Sequence, residues 1–145
     1  MTTQELPAPE DLLRAAGLRS TAPRRAVLQV VVDRPHVSAT EIADLVEAEA
    51  RPMSRQSLYN VLDDLTGAGL LRSIQPAGSS PRYETRVGDN HHHVVCRSCG
   101  TVQDVDCTAG AAPCLLPSGA TGFTVVDEAD VTWWGLCRAC APTAP

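Results

Sequence analysis

The sequence contains no lysine. All twelve basic residues are arginines, so any surface able to meet phosphates is built from guanidinium groups alone. No run approaches 18 apolar residues, which excludes a membrane-spanning helix. The opening MTTQELPAPED has neither a basic stretch nor an apolar one, so no secretory leader is expected and the chain should stay in the cytoplasm. In that reducing compartment, six cysteines serve more readily as metal ligands or redox thiols than as structural disulfides.

The formal net charge of -5 is not that of a uniformly basic nucleic-acid binder, and the distribution says more. Ten of the arginines lie between Arg14 and Arg86, leaving the first 86 residues close to neutral and the remainder clearly acidic. Arg14, Arg19, Arg24 and Arg25 follow one another with no acid between them, a local positive patch suited to phosphates or a solvated helix face.

Helical spacing is legible from Pro9 to Gly17, with Leu12, Leu13 and Ala16 on one side. A second helix opens near Pro23, with Ser20 or Thr21 as cap, and ends before Pro35. Ser38 and Glu41 have the spacing of a capping box for a third helix. Ser54 caps a fourth, whose Leu58, Val61, Leu62 and Leu65 recur at helical spacing. Two short strands follow, Leu70 to Ile74 and Arg82 to Thr85, joined by PAGSSP. Helices followed by a two-stranded wing predict a winged helix-turn-helix. In that arrangement the fourth helix meets DNA bases with its first turns, through Ser54, Arg55, Gln56 and Tyr59. Arg55 suits guanine and Gln56 suits adenine, while Arg82 on the wing and Arg19 and Arg24 in the basic run suit the backbone. Residues 1–86 are therefore expected to form a winged-helix DNA-binding domain, with 1–8 a disordered tail.

Residues 87–145 are few for a good core, and small domains of that size rely on metals or dimerisation. Strands are expected at HHHVVC, GTVQDV, around FTVV and around DVTWW, with residues 141–145 a disordered tail. Gly110, Pro113 and Pro117 argue against a long helix between them. The stretch HHHVVCRSCGTVQD carries the chemistry. Side chains alternate along a strand, so His91 and His93 share one face and His92 takes the other. If Cys96 and Cys99 form a turning knuckle, pairing Val95 with Val102 sets Asp104 opposite His93 and Asp106 opposite His91. Cross-strand Cβ atoms are about 4.5–5.5 Å apart, close enough to share an ion. His91, His93 and Asp104 then make a two-histidine, one-carboxylate set, which favours Fe2+ with open positions.

Cys96-x-x-Cys99 and Cys137-x-x-Cys140 are separated by 37 residues. Four thiolates satisfy a tetrahedral Zn2+ completely, so this site is expected to be structural. Cys107 and Cys114 lie outside that set, as ordinary loop residues or as a peroxide-reactive pair.

Taken together, TAPRR at 21–25, SRQSLYNVLDDL at 54–65, RYE at 82–84, NHHHVVCRSCG at 90–100 and GLCRAC at 135–140 resemble the ferric uptake regulator family over nearly the whole chain. The resemblance implies an α/β protein with an N-terminal winged helix-turn-helix and a small C-terminal α/β metal-binding dimerisation domain. It implies a homodimeric, metal-loaded repressor of a palindromic double-stranded DNA operator, and not an enzyme or a membrane protein. It also implies that His36 and Glu84 join His91, His93 and Asp104 around a regulatory Fe2+ or Mn2+. Asp at 104, together with VGDNHHHVVCRSCG and DVDC, resembles the peroxide-sensing branch, and in particular actinobacterial regulators of catalase-peroxidase. Peroxide is then the expected signal, acting by oxidation of His36 or His91. The alternative is a reversible iron-responsive repressor using the same residues. The loop at 107–118 stands where the family has a helix.

Overall fold

A computed structural model describes residues 6–49, 51–119 and 122–142. The expected tails fall largely on 1–5 and 143–145, which lie outside the described residues. The chain divides into two compact units, Met1–Val87 and Gly88–Pro145.

The N-terminal unit has four helices and a three-stranded sheet. Helix α1 (Pro9–Ala15) starts on a proline, which loses nothing at a position where the N–H has no helical partner. It gives way to Gly17 at φ 74, a left-handed geometry that glycine adopts without strain. Helix α2 (Ala22–Asp33) is capped by Thr21, whose side chain accepts from the Arg24 N–H. Helix α3 (Ala39–Ala48) carries the full capping box. Ser38 accepts from the Glu41 N–H while the Glu41 carboxylate accepts from the Ser38 N–H at 2.8 Å. Ser54 caps α4 (Arg55–Gly67) by accepting from the Ser57 N–H.

The apolar stripes of these helices converge. Leu13, Val27, Leu28, Val31, Ile42, Leu62 and Leu65 are all buried, and Leu71 closes the core from the start of the wing. The wing strands β2 (Arg72–Ile74) and β3 (Arg82–Glu84) are shorter than expected. A two-residue strand not foreseen from the sequence, β1 (Val37–Ser38), pairs antiparallel with β3, giving the order β1-β3-β2. Helices α3 and α4 with this wing are a winged helix-turn-helix.

The C-terminal unit is built from strands. β4 (His91–Cys96) is central, pairing antiparallel with β5 (Val102–Asp106) and parallel with β6 (Thr132–Gly135). The hairpin register is the one expected, with Val95 opposite Val102, His93 opposite Asp104 and His91 opposite Asp106. Among the described residues this unit contains no helix, so the helices of the α/β fold belong to the other unit. The interruptions at Gly110, Pro113 and Pro117 account for that between β5 and β6. The expected strand around FTVV does not form. Both edges of β4 are already taken by β5 and β6, and Phe123 and Val125 lie exposed instead of packing into a sheet.

Candidate metal centres

The two Cys-x-x-Cys knuckles meet because β6 lies beside β4. The pairing Cys96 with Gly135 brings the segment carrying Cys137 to the knuckle at the end of β4. The sulfurs of Cys96, Cys99, Cys137 and Cys140 all lie within 4.8 Å of one another, and Cys99 Sγ is 3.7 Å from Cys137 Sγ. A tetrahedron with Zn–S of about 2.3 Å has edges of about 3.8 Å, so the set fits zinc. Backbone N–H groups of Cys99 and Cys137 donate toward Cys96 Sγ and lower its thiol to about 6. That favours the thiolate, the form that ligates.

On the hairpin, His91 and His93 stand on one face with ring centroids 4.8 Å apart. Asp104 Oδ1 is 3.4 Å from His93 Nε2 and 3.7 Å from His91 Nε2. The three groups converge as the pleat predicts, and both imidazoles are buried. Asp104 is therefore the carboxylate that faces both rings, and Asp106 is an exposed neighbour on the same strand. Asp89, not foreseen from the sequence, is 2.5 Å from His91 Nδ1. A carboxylate there holds the Nδ1 proton and leaves Nε2 as the ligating nitrogen facing Asp104. Its only signal in the sequence was an acid two residues ahead of the histidines. Nitrogen and carboxylate donors at these separations fit Fe2+ or Mn2+.

His36 and Glu84 are brought together within the N-terminal unit by the β1–β3 pairing. His36 Nε2 is 3.1 Å from Glu84 Oε2, and Glu84 is 1% exposed. Arg72 Nη1 approaches Glu84 Oε1 at 4.0 Å. His36 has φ 67, a left-handed conformation uncommon for a residue with a Cβ. Its N–H donates to Tyr83 O at 2.8 Å, and its carbonyl accepts from Arg82 Nη1 at 3.1 Å. Two long-range hydrogen bonds therefore hold a backbone geometry that alone costs about 1–3 kcal/mol.

The residues expected to meet DNA fall into two groups. Arg55, Gln56 and Tyr59 lie on the exposed side of α4, with Gln56 Nε2 donating to Asn60 Oδ1 at 2.9 Å. The Ser54 hydroxyl serves as the cap, and Arg19 is exposed ahead of α2. Two arginines have internal partners instead. Arg24 forms an ion pair with Asp64 at 2.7 Å and donates to Arg19 O, and Arg82 reaches back to His36 O and toward Glu41. The basic run is also offset locally, since Arg14 pairs with Asp11 and Arg25 lies 3.8 Å from Glu10.

The model of the ferric uptake regulator family matches residues 15–126. The transcriptional regulator FurA of Mycobacterium tuberculosis is 53% identical over 136 residues, covering 94% of this chain and 92% of FurA. The peroxide operon regulator of Bacillus subtilis is more distant, 28% identical over 142 residues with 97% of each chain covered. Among solved structures, a ferric uptake regulator from Pseudomonas aeruginosa with manganese superposes with a TM-score of 0.66 at 22% identity, over 91% of this chain and 99% of that one. At that identity the likeness speaks to the fold.

Proposed function

Because this chain belongs to the ferric uptake regulator family, whose members are DNA-binding transcriptional regulators and not enzymes, we propose that it is a cytoplasmic, homodimeric, metal-dependent repressor of a palindromic operator. The observation that carries this reading is the hairpin face on which His91, His93 and Asp104 converge with Asp89 behind them. A structural ion would sit with its ligands closed around it, as at the four cysteines. This set instead offers three donors and stays incomplete by itself.

In the proposed regulatory site, His36 and Glu84 of the N-terminal unit complete the set with His91, His93 and Asp104. The bound Fe2+ or Mn2+ supplies positive charge that favours one arrangement of imidazoles and carboxylates, and Fe2+ also supplies one-electron chemistry toward peroxide. Within their own units the chain's residues do the rest. Arg82 and Tyr83 hold His36 in its strained turn, and Asp89 sets the tautomer of His91. Arg55, Gln56 and Tyr59 present the reading face, with Arg19 and the wing toward phosphates.

The signal is iron in the reading best supported by the relatives, since a protein named for ferric uptake regulation in Mycolicibacterium fortuitum is 53% identical and the peroxide regulator 28%. A second reading, peroxide release through oxidation of His36 or His91, is favoured by Asp at position 104. One experiment separates them: operator binding with Fe2+ or Mn2+, before and after peroxide. Iron-responsive regulation predicts that either ion supports binding and that peroxide leaves the iron form bound. Peroxide sensing predicts loss of binding with Fe2+ only, accompanied by added oxygen on a histidine peptide. Operator affinity that is indifferent to both ions would refute the whole proposal and leave a zinc-braced DNA binder.

A further inference from the structure

The pleat that puts His91 and His93 on one face of β4 puts His92 on the other, and that face has its own cluster. Cys107 follows β5 directly, and Cys114 lies in the segment beyond it. One ligand atom each from His92, Cys107 and Cys114 lies within 4.8 Å of the other two. His92 Nε2 is 3.0 Å from Cys114 Sγ. The histidine is 2% exposed, with the edge of Trp133 against its ring at 5.9 Å between centroids. A buried imidazole aimed at two partly exposed thiols needs a reason. Neither the structural zinc site nor the proposed regulatory site uses any of the three.

We propose that His92, Cys107 and Cys114 form a second zinc site, with one nitrogen and two sulfur ligands and a fourth position open to water. The donor set selects the metal class. Thiolates with one imidazole suit zinc, whereas Fe2+ and Mn2+ prefer the nitrogen and oxygen donors of the opposite face. The separations are close to those required. Zn–S of about 2.3 Å and Zn–N of about 2.0–2.1 Å give ligand-to-ligand edges of about 3.6–3.8 Å, so no atom needs to move much more than about 1 Å. Three protein ligands with an open fourth position distinguish this site from the closed four-cysteine one.

Binding rearranges protons in a defined way. The Val131 N–H donates to His92 Nδ1 at 3.3 Å, so in the metal-free form the ring proton sits on Nε2, facing Cys114. On ligation that proton passes to Nδ1 and the Val131 bond is given up. The two thiols release their protons to solvent as the two Zn–S bonds form. The same Val131 accepts from the His93 N–H at 3.3 Å, at the entry to β6, so its amide reports directly on the site. A disulfide between Cys107 and Cys114 needs only the two sulfurs, and the observation that favours zinc is the third donor, the His92 nitrogen, in the same cluster.

This inference is independent of the regulatory reading, because it involves neither DNA nor any of the regulatory ligands. The test uses the full-length chain with its four-cysteine site already filled by zinc. Wild-type protein should bind one more equivalent of Zn2+ than the double variant Cys107→Ser, Cys114→Ser, and added Co2+ should give a sulfur-to-metal charge-transfer band that the double variant lacks. Zn2+ should protect both thiols from alkylation and shift the Val131 amide resonance. His92→Ala should weaken this equivalent by at least the roughly 10- to 100-fold that losing a mere supporting group costs. Intrinsic tryptophan fluorescence confirms that each variant is folded, and thiol protection in the wild type needs no variant at all. Equal zinc stoichiometry in wild type and double variant overturns the proposal. So do thiols alkylated at one rate with and without Zn2+, or recovery of a Cys107–Cys114 disulfide from zinc-saturated protein.

Discussion

Removing zinc from the four cysteines should unfold the C-terminal unit while leaving the N-terminal unit intact, and the structure supplies both the magnitude and the probes. Among the described residues, the buried apolar side chains of the C-terminal unit are Val95, Cys96 and Val102. Burying the two valines contributes about 3–6 kcal/mol. A structural zinc ion in a small domain contributes about 10–16 kcal/mol, so the metal stabilises this unit more than its apolar core does. The N-terminal unit, by contrast, has its own core running from Leu13 through Leu65 to Leu71. The two tryptophans of the chain, Trp133 and Trp134, both lie in β6, and all the described helices lie before Gly69. Tryptophan fluorescence therefore reports one unit, and far-ultraviolet circular dichroism at helical wavelengths reports the other. Chelation, or the pair Cys99→Ser and Cys140→Ser, should expose the half-buried Trp134, Trp133 being exposed already, at ambient temperature while helical dichroism keeps its cooperative thermal transition. Native tryptophan emission after measured loss of the zinc would refute the reasoning, because the sheet would then be holding itself. Simultaneous loss of the helices would show that the N-terminal core does not suffice.

Further outcomes follow from single side chains. Leu65→Ala, at a fully buried position of α4, should lower the stability of the N-terminal unit by about 2–5 kcal/mol in denaturant titrations followed by dichroism. Ser38→Ala removes a cap worth about 1 kcal/mol. The backbone and hydroxyl of Ser38 hold Glu41 below its ordinary value of 4.5, so the Glu41 contribution is complete above that value and is lost as pH falls through the lower folded value. Wild type should thus lose more stability over that acid range than Glu41→Gln does, in unfolding curves measured at a series of pH values. Arg55→Ala should weaken operator binding by about 1–3 kcal/mol and relax preference at one base pair, read by binding assays on single-base operator variants. Asp89→Asn should weaken Mn2+ binding roughly 10- to 100-fold by freeing the tautomer of His91, measured by calorimetry on zinc-loaded protein, and an unchanged affinity would remove Asp89 from the site.

The parts of this protein that depend on near neighbours could be read without coordinates. Ser38 and Glu41 lie three residues apart, as a capping box requires, and Ser54 precedes a helical apolar stripe. A pleat of period two separates His92 from His91 and His93, and a knuckle at Cys96 and Cys99 leaves few registers for the strands on either side. Each of these is a statement about spacing along one or two elements, and spacing is what a sequence records. The pairing of the two cysteine knuckles was legible as well, because four thiolates in two such pairs have few other uses.

Only the folded chain decided the rest. His36 became a partner of Glu84 because a two-residue strand pairs with the wing, and its left-handed backbone is held by Arg82 and Tyr83 from far along the sequence. The same folding turned Arg24 toward Asp64 and drew Arg82 inward, so two arginines that composition offered to phosphates have partners within the protein. FTVV has the residues of a strand but pairs with neither outer edge of the sheet, and Cys107 and Cys114 acquired a histidine on the far side of β4. The physical reason is common to all four. A charge, a strand edge or a thiol takes its role from whatever lies across from it, and chain topology sets that partner across separations that local spacing does not encode.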